Sequence, residues 1–290
     1  MSKEVREGFF EGERSLFQAS GLKIYDTVFG FGESPLKEGR DIELYNTIFE
    51  WKYPLWYSKN VKVKDCTLFN DARAGVWYTE NAEFSDCVID APKTFRRCRA
   101  LALANVDLTS AAETLWNCEN VTLQNVSVKG TYFGMGSADV TADNLRITGD
   151  YCFDGGKNIT VKNSRIISKD AFWNCENVTV ENSFVSGEYF GWNSKNVTLI
   201  NCTVESEQGL CYMDNVVMKN CKLIHTNLAF EYSTADADIK SNIESVKNPV
   251  SGRITADSIG EIIFDNPCMN KNDTEITVRN QEGVRYDNER

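Results

Sequence analysis

The sequence contains one histidine and five prolines in 290 residues, and none of its ten cysteines stands in a CxxC pair. A zinc cluster of Cys and His is therefore not expected. So few prolines argue against a disordered or linker-rich chain. No run of about 18 apolar residues occurs, which leaves no candidate membrane span. The opening stretch, MSKEVREGFFEGERSLF, has no apolar signal core. Basic residues are in deficit: 31 Lys and Arg against 42 Asp and Glu leave a net charge of −11. An acidic surface repels phosphate backbones and anionic lipid, so no nucleic acid and no membrane is expected as a partner. No Ser-His-Asp arrangement, P-loop or GxGxxG in strand-to-helix context is found. The expectation is a cytoplasmic protein with reduced cysteines, no metal and no cofactor.

What the chain has is a repeat. NVTLQNVSV, DVTADNLRI, NITVKNSRI, NVTVENSFV, NVTLINCTV and NVVMKNCKL begin at Asn120, Asp139, Asn158, Asn177, Asn196 and Asn215, each 19 residues after the last. The same frame fits at Ala100, Asn81, Asn60, Asp41 and Gly21, with steps of 19 to 21. One and three residues after each start the columns are apolar, from Leu22 and Ile24 to Val216 and Met218, with mostly polar residues between them. That is the period of a strand with one buried face. Five residues on, the column is Asn or Asp in every coil: Asp26, Asn46, Asp65, Asp86, Asn105, Asn125, Asn144, Asn163, Asn182, Asn201 and Asn220. These residues tolerate the left-handed backbone of a sharp bend, and stacked amides can bond to one another, so the column reads as a structural ladder. Cys66, Cys87, Cys202 and Cys221 fall in one apolar column and Cys98, Cys118 and Cys175 in another, where cysteine packs as a small hydrophobe.

A coil of this length with short strands predicts an all-β fold, a right-handed parallel β-helix (solenoid) of at least eleven coils of 19 to 21 residues. One domain is expected over 1–290: an N-terminal cap over 1–20, regular coils over 21–225, and irregular coils with a C-terminal cap over 226–290.

Function is sought where the columns vary and carry costly residues. That place is the segment ahead of each frame start. Its middle column, Leu55, Val76, Phe95, Leu115, Gly134, Phe153, Phe172, Gly191 and Leu210, reads as inward. The next column, Trp56, Trp77, Arg96, Trp116, Met135, Asp154, Trp173, Trp192 and Cys211, then points outward. The column two before it, with Gly75, Thr94, Thr114, Ala171 and Gly209, should also face out, making a trough. An outer row of tryptophans suggests a binding face, suited to stacking on sugar rings. Expected substrate-binding residues are Trp56, Trp77, Arg97, Trp116, Tyr132, Trp173 and Trp192. Expected catalytic candidates are Asp154, Glu113, Asp170, Arg96 and Lys93: paired carboxyls for acid and base in glycoside hydrolysis, or a basic residue for a lyase. The expected partner is an oligosaccharide; the alternative is a non-catalytic module that docks a protein or another copy of itself, so an oligomer is allowed. His225 shows no partner in the pattern.

The segments ESPLKE (33–38), WKYPLWY (51–57), ARAGVWY (72–78), APKTFRR (91–97), AAETLWN (111–117), KDAFWN (169–174), GEYFGWN (187–193) and AFEYS (229–233) resemble a bacterial family of unknown function among the pectin-lyase-like right-handed β-helices. The resemblance spans nearly the whole chain. It implies the fold and brings no established activity with it. The polygalacturonase motifs NxD, DD, GHG and RxK and the basic motif of pectate lyases are missing, so those mechanisms do not transfer.

Overall fold

The computed structural model describes residues 3–280 and the strand Arg285–Asp287. The chain falls into two compact units, Met1–Thr148 and Gly149–Arg290. Each is a stack of parallel strands wound as a β-solenoid, the architecture that the periodicity predicts.

In the first unit, Ser20–Tyr25, Arg40–Tyr45, Lys59–Lys64, Glu80–Ser85, Arg99–Leu108, Glu119–Lys129 and Ala138–Gly149 pair in parallel, one coil to the next. The register aligns Leu22, Ile42, Val61, Ala82, Leu101, Val121 and Val140, and two residues on it aligns Ile24 through Ala142; both columns are buried. The residue between them is half or fully exposed in each coil. Burying one such aliphatic side chain is worth about 1.5–3 kcal/mol, so each coil adds its own increment of core. A second column of short strands, Val28–Phe29, Ile48–Phe49, Thr67–Leu68 and Val88–Ile89, stacks Phe29 on Phe49 with ring centroids 4.9 Å apart. Lys3–Arg6 already pairs in register with Ser20–Tyr25, so strand stacking begins inside the segment expected to cap the first coil. Residues 1 and 2 of that segment lie outside the described residues.

The corner after the first strand shows why Asn and Asp recur there. From Asp26 to Asn144 that column has φ between 47° and 56°, the left-handed region that most side chains avoid. The amides bond up the stack: Asn46 Nδ2 donates to Asp26 Oδ1 at 2.7 Å, Asn105 to Asp86 at 2.9 Å and Asn125 to Asn105 at 3.0 Å. A second series, not anticipated from the sequence, runs along the frame-start column, where Asn60 donates to Asp41 and Asn81 to Asn60.

The second unit repeats the plan with Lys157–Lys162, Glu176–Glu181, Lys195–Ile200 and Asp214–Ile224. Amide series recur there, with Asn201 donating to Asn182 and Asn220 to Asn201 along one corner, and Asn177, Asn196 and Asn215 linked along another. Beyond Asp214–Ile224 the coils lose regularity. The register shifts between Met218 and Cys221, and the spacing of paired residues falls to 17 and then rises to 22 through Thr234–Ile239, Ser251–Ala256 and Thr274–Val278. Asn242–Lys247, Ser258–Ile263 and Arg285–Asp287 form a separate three-stranded parallel sheet. Residues 281–284 and 288–290 of the expected C-terminal cap lie outside the described residues.

All ten cysteines are free thiols, and nine are buried. Burial pushes the Cys152 thiol up to about 12 and the Cys202 thiol up to about 11. Such thiols are inert near neutral pH and serve as packing.

Candidate functional site

The segment before each frame start does not alternate as a plain strand would. In the first unit it holds two or three left-handed residues per coil: Tyr53 and Tyr57, Ala74 and Tyr78, Lys93 and Arg97, and Glu113, Leu115 and Asn117. The extra bend turns two consecutive residues inward. Leu55, Val76, Phe95 and Leu115 are buried as expected, but so are Gly75, Thr94 and Thr114. In the second unit Ala171 and Gly209 are likewise buried, and Cys211, expected to face outward, is fully buried. The expected trough of small outward residues is therefore not formed: those positions line the core.

The tryptophans of the first unit are half-buried and stack along the coil axis. Trp56 lies on Trp77 at 5.0 Å with planes 8° apart, and Tyr53 covers Trp56 at 4.6 Å. The Arg96 guanidinium is sandwiched between Trp77 and Trp116, 4.6 and 4.5 Å from their centroids. Its Nη2 donates to Glu113 Oε2 at 3.3 Å, and Lys93 Nζ reaches the same oxygen at 3.1 Å. The indole N–H groups are used as well. Trp56 donates to the Ala74 carbonyl, Trp77 to Lys93 at 2.7 Å and Trp116 to Tyr132 at 2.6 Å, each one coil on. Arg97 lies 5.9 Å from the Tyr78 ring centroid, and Tyr132 packs edge-on against Trp116. Ring faces and indole donors in this column thus engage one another, while the Arg96 Nε, buried between the rings, has no hydrogen-bond partner. Within the unit, Lys93, Arg96 and Glu113 do come together, as an ion cluster gripped by aromatic rings.

The second unit holds Asp154, Asp170, Trp173 and Trp192. Asp154 accepts a hydrogen bond from Asn174 Nδ2 at 2.9 Å, and Asn193 donates to Asn174, so Asp154 ends a third amide series. Trp173 stacks on Trp192 at 6.0 Å, and Tyr189 leans on Trp192 at 4.9 Å. The Trp192 indole donates to the Gln208 carbonyl, but the buried Trp173 Nε1 has no partner.

Asp170 is the exception in its column. It is 2% exposed, and its Oδ1 is buried without a hydrogen-bond partner. Burial pushes its carboxyl above the usual aspartate range; the Glu188 and Asp150 carboxylates add to the rise, while Lys169 and a hydrogen bond with Tyr151 oppose it. Glu188, one coil on, is held below the usual glutamate range by a hydrogen bond with Tyr189 and by Lys169, whose Nζ lies 3.3 Å from Glu188 Oε2. Beside Glu188 opens a recess of about 540 Å³ lined also by Ser186, Glu205, Ser206, Glu207, His225, Asn227 and Glu244. His225 does have a partner, contrary to the sequence reading: its Nδ1 lies 3.0 Å from Glu205 Oε1, 20 residues away and one coil back. Glu188 is one of the charged residues that the sequence sets beside the aromatic column; the recess was not expected. The signal available was carboxylate or histidine recurring at coil spacing, Glu188 with Glu207 and Glu205 with His225, which the short strand columns overshadowed.

Among the described residues, no group of three or more His, Cys, Asp or Glu is arranged to hold a metal ion, and no helix is long and apolar enough to cross a membrane.

Fold and surface define a class: a parallel β-solenoid with polar, aromatic-lined outer columns. The chain belongs to the family described as a protein of unknown function, DUF3737, whose pattern matches residues 3–277, in keeping with the resemblance carried by the segments from ESPLKE to AFEYS. No curated protein matches the sequence. Solved structures similar to it include PfbA, a surface adhesin of Streptococcus pneumoniae (8% identity, 95% of this chain and 82% of that one, TM-score 0.40). Others are the A-module of the mannuronan C-5 epimerase AlgE6 of Azotobacter vinelandii (11%, 94% and 76%, 0.33) and a hyperthermoactive exopolygalacturonase from Thermotoga maritima (8%, 94% and 83%, 0.32).

Proposed function

We propose that the protein binds a saccharide at the second unit, around Asp170 and the rings of Tyr151, Trp173, Tyr189 and Trp192. The observation that carries this reading is the pair of unmatched polar groups within four residues: an acceptor on Asp170 and an indole donor on Trp173. Buried polar groups are nearly always paired, and those that are not mark places where something is missing. A sugar hydroxyl both donates and accepts, so sugar hydroxyls can answer an acceptor and a donor alike. Aromatic rings beside a carboxyl suit a sugar, which offers apolar C–H faces and polar edges. In this reading Trp56, Trp77 and Trp116 of the first unit are architecture, because their faces and donors are already engaged.

The test is intrinsic fluorescence titrated with neutral and acidic oligosaccharides. Wild type should respond to one class. W173F and D170A should each weaken that response about tenfold, the loss of roughly one good hydrogen bond, while W116F should leave it unchanged. A response lost equally in W116F, or absent with every sugar, would remove the proposal.

A further inference from the structure

We infer that the first coil is an interface between two copies of the chain, which meet in antiparallel through the strand Lys3–Arg6. The interface involves the first unit alone and does not depend on the saccharide site proposed above. Two core columns reach this coil without being closed. Val5 is half-buried, although Ile24, its neighbour in the register, is fully buried. Phe10 stacks on Phe29 at 5.3 Å and is likewise half-buried, whereas Phe29 and Phe49, the next rings of the stack, are enclosed. Phe9, in the same coil, is 65% exposed. Lys3–Arg6 pairs with Ser20–Tyr25 along one edge, and no other described strand pairs with it. A solenoid needs its last coil covered, and an open strand edge is a template for another chain.

The edge selects its occupant. The Glu7 N–H donates to the Tyr25 carbonyl, so by alternation the backbone groups of Lys3 and Val5 also face the neighbouring coil. Those of Glu4 and Arg6 face the open edge. An antiparallel copy must present its own Glu4 and Arg6 there, because only residues with N–H and C=O turned toward each other exchange bonds. A two-fold axis at Glu4 would set Glu4 against itself, and one at Arg6 would set Arg6 against itself. An axis at Val5 sets Glu4 against Arg6 of the second copy, and Arg6 against its Glu4. Each of these pairs exchanges both N–H···O bonds and adds an ion pair. Val5 then meets Val5, in continuation of the core column, and Lys3 comes opposite Glu7. Like charges directly opposite destabilise paired strands and unlike charges stabilise them. Of the three registers, KEVRE is therefore complementary to itself in the one centred on Val5. Within one copy Glu4 and Arg6 touch at 3.1 Å, and with side chains 46% and 56% exposed both can reach across the axis.

The experiment is the mass of the full chain in solution by sedimentation equilibrium, with cross-linking to locate the contact. Wild type should approach twice the chain mass as concentration rises, and no more. E4R sets like charges opposite each other at both pairs and should weaken the dimer about tenfold. E4R/R6E restores unlike pairs and should bring the affinity back to within about threefold of wild type. Cross-linking is done with C268S, so that no exposed thiol competes. There V5C should form a disulfide between copies on mild oxidation and K3C should not, since position 5 alone meets itself across the axis. A monomer at every concentration would overturn the inference. So would a mass that grows past the dimer, which marks head-to-tail stacking. A dimer that E4R leaves unchanged would place the contact elsewhere and overturn it too. Cross-linking of K3C as readily as V5C would overturn the register. Should E4R disturb the coil itself, the comparison of V5C with K3C still decides.

Discussion

The same outer column is built in both units, but the buried polar atoms left unmatched differ: Arg96 Nε in the first, Asp170 Oδ1 and Trp173 Nε1 in the second. In the first unit Arg96 is clamped between Trp77 and Trp116, Glu113 answers two cations, and the indoles of Trp56, Trp77 and Trp116 each donate to the next coil. In the second, Asp170 stands where the first unit has Lys93 or Glu113, and it leaves an oxygen unmatched while Trp173 leaves a donor unmatched. The lesson is that aromatic residues at coil spacing do not by themselves mark a site. Rings 5 Å apart along a solenoid cover one another, and a site is sought where an acceptor and a donor are both left unmatched in one coil.

The contrast can be broken in four places. The largest effect is expected for R96A, which removes a cation held between two rings and one partner of Glu113; we expect a loss of about 2 kcal/mol in urea unfolding. Next is D170N. The raised Asp170 titration means that the fold disfavours the ionised form, so the wild type is at its best below the unfolded aspartate value near ~4 and loses stability as pH rises through the folded one. D170N should therefore be more stable than wild type at pH 7, by about 1 kcal/mol, and the gain should vanish on acidification. A gain that persists at low pH would show that the effect is not one of ionisation. Third, W116F should cost about 1 kcal/mol for its lost hydrogen bond, whereas W173F, which has none to lose, should cost clearly less; equal costs would erase the difference between the units. The smallest effect is H225Q. The His225 side chain is 76% exposed beside Glu205, and loss of such a surface pair should stay below about 0.5 kcal/mol.

Most of the fold could be read before the structure. Leu22, Ile42 and Val61 share a column in the sequence and face one another in the register, and the Asn and Asp corner column takes the left-handed backbone that its residue types imply. The candidate site was less legible for two physical reasons. Left-handed bends at Tyr53, Ala74, Lys93 and Glu113 occur in residue types that do not announce them, so an assumption of strict alternation put Thr94 and Thr114 outside when both are fully buried. Stacking also runs between residues some 20 positions apart, so the column revealed which rings are neighbours but not that their faces are consumed by each other. Asp170 was visible as a candidate; that its Oδ1 lacks a partner depends on the coils above and below it. Glu188 was visible only as one charged residue among several beside the rings; its contact with Lys169 depends on the stacking of adjacent coils.

One consequence concerns the thiols. Nine are enclosed in the stack and Cys268 alone is exposed. A maleimide added to the native protein should take up one equivalent at once, giving a single attachment point for a dye or a surface. The remaining nine can react only as coils open, so the time course of labelling is a gauge of how the solenoid unwinds, coil by coil or all together.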